Sequence, residues 1–209
     1  MMTRRVKTGI AAGAAFVLVA AMALDTKVVK IGSSADVQPG SFSQEAYGTS
    51  EFPKVRDAVE GKAVDAATLA AAIAKDPDAA QKQYGVAADA GPEYPVKFTG
   101  LVGKKDEDSG LYPVAVSGLP DGVHVMLQTG PAIIGTDLRD ATGLISFGQF
   151  RNQIEYQNAG AALNNAMKAE VLSKIHPDTL AGKTVSVVGV FQLTDPASWT
   201  VIPVKVDVQ

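Results

Sequence analysis

Residues 130–165 read GPAIIGTDLRDATGLISFGQFRNQIEYQNAGAALNN and hold the chain's densest group of hydrogen-bonding side chains. Asp137, Arg139 and Asp140 form a local charge cluster. An arginine between two carboxylates either braces a loop or is presented to an anionic or hydroxyl-rich ligand. Gln149, Asn152, Gln153, Glu155 and Tyr156 follow on the expected start of a helix. Amides in a helix interior carry a mild propensity cost. They survive there by hydrogen-bonding a neighbouring loop, buried water or a ligand. Helical geometry puts Asn152, Tyr156 and Gly160 on one stripe and Gln149, Gln153 and Gln157 on the next. The plainer reading is that these amides tie the helix to the loop before it. The functional one makes Asp137, Arg139, Asp140, Gln149, Asn152, Gln153, Glu155 and Tyr156 a ligand-binding set.

No catalytic constellation accompanies them. There is no Gly-x-Ser-x-Gly elbow. His124 and His176 stand 52 residues apart, neither with a second histidine at i+3 or i+4. Asp106-Glu107-Asp108 lacks the alternating ligand spacing of a calcium loop and reads as a solvated acidic turn. Neither Gly61 nor the Gly100–Gly103 stretch is followed by the Gly-Lys-Ser/Thr of a phosphate loop. With no cysteine in the chain, thiol catalysis, thiolate metal sites and lipidation of a cysteine are excluded. No metal and no cofactor is expected.

The elements that must position the cluster follow from periodicity. Ser50 is the expected N-cap of a first helix that carries Val55 and Val59 and stops at Gly61. Asp65 caps an alanine-rich helix with Leu69 and Ile73 on one face, and Asp76-Pro77 opens a third that ends at Gly85. From Pro92 the period changes to two. Strands are expected at Val96–Val102, Leu111–Val116 and Val123–Gln128, with Pro120-Asp121-Gly122 as a turn and a further short strand at Ile133-Ile134. Ser146 with Gln149 forms a capping box for a long helix to about Ile175. Two β-branched strands close the chain, Lys183–Leu193 and Trp199–Val208.

This order predicts an α+β protein: an OB-like barrel of five to six strands with one long inserted helix, preceded by a small helical segment and an N-terminal signal or anchor. An unclassified α+β sandwich is the alternative. The expected divisions are 1–24 signal or anchor, 25–50 spacer, 51–91 helical segment and 92–209 barrel. The docking surface of a structural or assembly factor, were that the role, would be the helices around Leu69 and Ile73.

At the N-terminus, Arg4, Arg5 and Lys7 precede an uncharged run from Gly9 to Leu24 that ends in the small-residue triplet Ala21-Met22-Ala23. That is the layout of an export signal, short for a spanning helix. Cleaved after Ala23 or retained as an anchor, it places residues 25–209 outside the cytoplasm. The expected location is periplasmic, either soluble or anchored to the inner membrane through residues 6–24. Loss of the first 23 residues leaves 16 Lys+Arg against 22 Asp+Glu, so the formal charge moves from -3 to -6. Nucleic acid is therefore no partner for this chain.

The chain resembles a family of bacterial envelope proteins described as predicted periplasmic lipoproteins. The matching pieces are Lys27–Gly32, Glu45–Gly48 with Phe52–Val55, Gly110–Val116 and, most specifically, the Gly-Thr-Asp-Leu-Arg-Asp and Asn-Gln-Ile-Glu-Tyr cores of residues 135–156. The resemblance implies genes beside those of sugar ABC transporters and an accessory role in sugar uptake. Lipoprotein members carry a cysteine after the apolar run, where this chain has Leu24-Asp25-Thr26. The expected function is a non-enzymatic envelope protein that binds a small polar ligand or an ABC transporter component.

Overall fold

The computed structural model describes residues 42–209 except Asp89 and Pro131, together with Gly13, Phe16, Val17, Leu18, Ala20, Ala21, Met22 and Thr26. Met1–Ser41 and Phe42–Gln209 are separate compact units. In the first, every described residue from Gly13 to Met22 is helical. Among the described residues no helix is long and apolar enough to cross a membrane. The bond after Ala23 and the strand-like Val28–Ile31 stretch lie outside the described residues.

The second unit opens with α1, Gln44–Lys62, whose N-cap Ser43 accepts a hydrogen bond from the Ala46 amide. It starts six residues before the expected capping residue Ser50 and continues through Pro53 and Gly61. Burial of Phe52, Val55 and Val59 outweighs both helix breakers. Strand β1, Val64–Asp65, leads into α2, Ala66–Lys75, capped by the Asp65 carboxylate on the Thr68 amide. Then α3, Pro77–Tyr84, is capped by Asp76 on the Ala79 amide, with proline where no amide is needed. Leu69 and Ile73 are 0 % and 4 % exposed, so the face expected to dock a partner is consumed by the protein's own core.

Three strands follow: β2 (Glu93–Val102), β3 (Tyr112–Val116) and β4 (His124–Leu127). The α4 turn (Asp137–Asp140) precedes α5 (Gln153–Met167), which runs on through a π-helical turn, Lys168–Leu172, to Ile175. Last come β5 (Thr184–Gln192) and β6 (Ser198–Val208). Glu93–Val96 of β2 and Val201–Val204 of β6 are buried throughout, and elsewhere alternation marks strands that bury one face. In β3, for example, Tyr112 and Val114 point in while Pro113 and Ala115 point out.

β2 pairs antiparallel with both β3 and β5, β3 with β4, and β5 with β6, while β4 pairs parallel with β6. This circuit closes a five-stranded barrel, and the parallel β1–β2 pair adds a sixth strand outside it. The connectivity, with a helix between the third and fourth barrel strands, is that of the expected OB-fold. β2 is paired along both edges at Gly100 and Leu101. β3 approaches so closely at Gly100 that a Cβ there would sit 2.5 Å from the Ala115 carbonyl oxygen.

Inside, Trp199 stacks on Phe191 at 4.6 Å between centroids, and Phe191 on Tyr94 at 5.6 Å. The three rings are almost fully buried, and the helices share this core with the strands. Burying such side chains contributes roughly 1.5–3 kcal/mol apiece.

Two elements differ from expectation. Ile133-Ile134 is not a strand: the Asn164 side-chain amide donates to the Ile133 and Gly135 carbonyls at 3.4 and 3.1 Å, tying this segment to α5 rather than to the sheet. The long helix begins at Gln153, not at Ser146. The Ser146/Gln149 pair instead closes a single 3-10 turn, Phe147–Gln149, and Asn152 is the true helix cap.

Candidate functional site

The α4 turn presses three consecutive buried side chains, Leu138, Arg139 and Asp140, against the protein. Arg139 turns inward. Its Nε and Nη2 donate to Asp140 Oδ1 and Oδ2 at 2.8 and 2.9 Å, and its Nη1 donates to the Tyr156 carbonyl at 3.3 Å. The Thr136 hydroxyl donates to the same Asp140 Oδ2 at 2.7 Å. The guanidinium carbon lies 3.7 Å from the centroid of the Tyr156 ring, so α4 is joined to α5 by a cation–π contact as well. A bidentate pair with both partners about 6–8 % exposed fixes geometry more than it adds stability.

Two further carboxylates lie within electrostatic reach. Glu93, at the start of β2, is 1 % exposed, and its Oε2 has no hydrogen-bond partner. Burial first, then the charges of Asp137 and Asp140, push its pKa up to about 8. Glu93 is therefore mostly a neutral acid at pH 7. Burial also raises Asp137, with Asp140 adding to the effect and hydrogen bonds from the Asp137 and Gln192 backbone opposing it. Of the three carboxyls, Asp140 alone is paired with the guanidinium.

An aromatic cluster covers the outer side. Phe42 and Tyr47 meet at 5.1 Å, Tyr47 and Phe150 at 5.7 Å, Phe150 and Tyr156 at 5.4 Å, and Phe147 meets Tyr156 edge-on at 5.7 Å. Burial, then Glu51, pushes the Tyr47 phenol up to about 12, so it stays neutral.

Beside these groups a groove of about 390 Å³ opens between Ala87-Ala88 and Ile145–Gly148, with Asp140 and Tyr156 in its wall. Phe147 is 49 % exposed there. A second groove, about 470 Å³, runs over the outside of β2, β5 and β6. Of its polar groups, Thr99 and Ser186 are hydrogen-bonded to each other at 2.9 Å, Lys205 lies 3.7 Å from Glu60, and Asp65 caps α2.

The structure brings together Asp137, Arg139, Asp140 and Tyr156. Gln149, Asn152, Gln153 and Glu155 do not line the groove. Gln149 folds back on its own turn, accepting from the Ser146 amide at 3.4 Å and donating to the Leu144 carbonyl at 3.0 Å. Asn152 caps α5 by accepting from the Glu155 amide at 2.9 Å, and Glu155 accepts from the Arg151 amide at 3.0 Å. Gln153 is exposed on the first turn. Glu93, Tyr47 and Phe147 were absent from the expected set. A lone Glu between Pro92 and the apolar run Tyr94-Pro95-Val96 was the one sequence signal for Glu93.

Asp106 has the role expected of an acidic turn. Hydrogen bonds from Ser109 and Asp108 hold its exposed carboxylate below the usual range. Among the described residues, no group of three or more His, Asp or Glu is arranged to hold a metal ion.

An OB-fold protein from Thermotoga maritima has a crystal structure similar to this fold, with a TM-score of 0.64 at 21% identity, covering 81% of this chain and 99% of that one. No curated protein matches the chain. A model of the DUF2291 family, described as predicted periplasmic lipoproteins, matches residues 13–207, and the chain belongs to that family.

Proposed function

We propose that the chain is a non-enzymatic envelope module that binds a small hydroxyl-rich ligand in the Asp140–Phe147 groove. The observation that carries this reading is the pairing, in one groove, of a fixed carboxylate with a half-exposed aromatic ring. Asp140 is held from behind by Arg139 and Thr136, and Phe147 is set edge-on against Tyr156. A carboxylate accepting hydroxyl hydrogen bonds beside a ring that covers an apolar face is the minimal recognition element for a sugar-like molecule. The module works outside the cytoplasm, free or tethered through residues 6–24. An ABC transporter component that handles sugars is the partner the family resemblance implies. Isothermal titration of the purified protein with a panel of monosaccharides tests the proposal. Binding that disappears in Phe147→Ala supports it; no heat from any sugar refutes it.

A second reading, docking of a protein partner, is favoured by one observation. Ile134, Leu144 and Ile154, in the same stretch of chain, are 82%, 68% and 68% exposed. A contiguous patch of such side chains would mark an interaction surface.

A further inference from the structure

We propose that the second unit rests on a lipid surface through the face that carries Leu144, Phe147 and Ile154. This builds on the tethered form of the reading above, and it adds which face of the domain meets the membrane.

Contacts join that face into one patch. Phe147 meets Tyr156 edge-on, Tyr156 meets Phe150 at 5.4 Å, and Phe150 meets Phe42 at 5.9 Å. Leu144 is held to the same turn by Gln149, which accepts from the Ser146 amide and donates to the Leu144 carbonyl. Ile154 stands on the first turn of α5, two residues before Tyr156. Leu144, Phe147 and Ile154 are all exposed. From Ala141 to Ile154 the one charged residue is Arg151. Such a surface is apolar and nearly uncharged.

The point where the chain enters the domain says what covers it. Residues 1–41 lead into the second unit at Phe42, itself a ring of the patch. The apolar run Gly9–Leu24 lies in that leading segment, and there Phe16, Val17, Leu18 and Met22 are exposed. A segment suited to hold the chain to a bilayer therefore joins the domain at the edge of its apolar patch. Tethering keeps the domain at a high effective concentration beside the bilayer, so a weak apolar contact suffices to orient it. Aromatic and aliphatic side chains settle at the boundary between headgroups and acyl chains without help from charge. Residues 24–209 are acidic overall and Arg151 is a single cation, so anionic headgroups add no hold. The contact is apolar and indifferent to lipid charge.

The chain has no cysteine, so single spin labels report this contact without background. Leu144→Cys, Ile154→Cys and, as a reference on the turn between β3 and β4, Asp121→Cys are labelled in the whole chain. All three positions are exposed, so the labels leave the core intact. Collision of each label with a water-soluble nickel chelate is compared with and without phosphatidylcholine vesicles. It should fall roughly threefold or more at Leu144 and Ile154, as residence at the headgroup boundary requires, and stay unchanged at Asp121. Adding phosphatidylglycerol should change nothing. If the chain floats with the vesicles and both labels stay as open to water as before, the lipid-facing patch is overturned and the surface is left to a protein partner. Equal protection at Asp121, or protection without vesicles by a second copy of the chain, overturns it as well. Protection only with phosphatidylglycerol overturns its apolar basis. A chain that does not float overturns the tethered form itself. Sugar titration of the same labelled chains reads the groove separately from all of these outcomes.

Discussion

Arg139 lies flat over Tyr156, 3.7 Å from guanidinium carbon to ring centroid, while two of its nitrogens grip the carboxylate of its own neighbour Asp140. The arginine is therefore an internal strut between α4 and α5, and the groups it leaves free to act are those it holds in place. Arg139→Ala strands a buried Asp140 charge and should cost roughly 3–5 kcal/mol. Arg139→Lys keeps the charge but loses the fork, so it should recover part of that. Urea unfolding followed by circular dichroism measures both.

Glu93 makes stability depend on pH in an unusual direction. Its folded pKa of about 8 lies above the ordinary value of 4.5, so between those values the folded state binds the extra proton. Stability is thus fully present near pH 4.5, falls as pH rises, and levels off above about pH 8. Glu93→Gln removes this slope, a difference on the order of 3 kcal/mol between pH 4.5 and pH 7. Thermal melts of both proteins across that range check it, and parallel curves would count against the buried acid.

Gly48 of α1 lets that helix approach α5 closely. A Cβ at this position would stand 2.5 Å from the Ala162 carbonyl oxygen and 3.3 Å from the Ala166 Cβ. Both neighbours belong to α5, and the oxygen is backbone that cannot swing away. Gly48→Ala should therefore destabilise by about 1–3 kcal/mol despite its better helix propensity. A raised urea midpoint would contradict the packing described.

Asn152 is a cap. Asn152→Ala should cost about 1 kcal/mol, whereas Asn152→Asp, with an equally good acceptor at a helix N-terminus, should be close to neutral. Neither change should alter sugar titrations, because the residue does not line the groove. Loss of binding in a folded Asn152→Asp protein would return it to the site.

The barrel was legible because strands with one buried face write that burial as alternation, as Thr184–Val188 does, while the continuously buried Val201–Val204 is legible as a β-branched apolar run. Helix boundaries were less so. Ser146 and Gln149 carry the signature of a helix start, yet one 3-10 turn satisfies it, and the real start depends on Asn152. The charge cluster at 137–140 was visible, but the inward turn of Arg139 was not, since it depends on Tyr156 standing opposite. Glu93 left only its place before an apolar run as a signal, because the carboxylates that act on it, Asp137 and Asp140, come some forty residues downstream.

The most direct test is amide chemical-shift mapping of the labelled protein with glucosamine. Shifts concentrated at Gly143 and Ser146–Gly148, and absent in Phe147→Ala, are the predicted result. Shifts confined to the outer face of β3 and β4, or none at saturating sugar, would contradict a ligand site at Asp140.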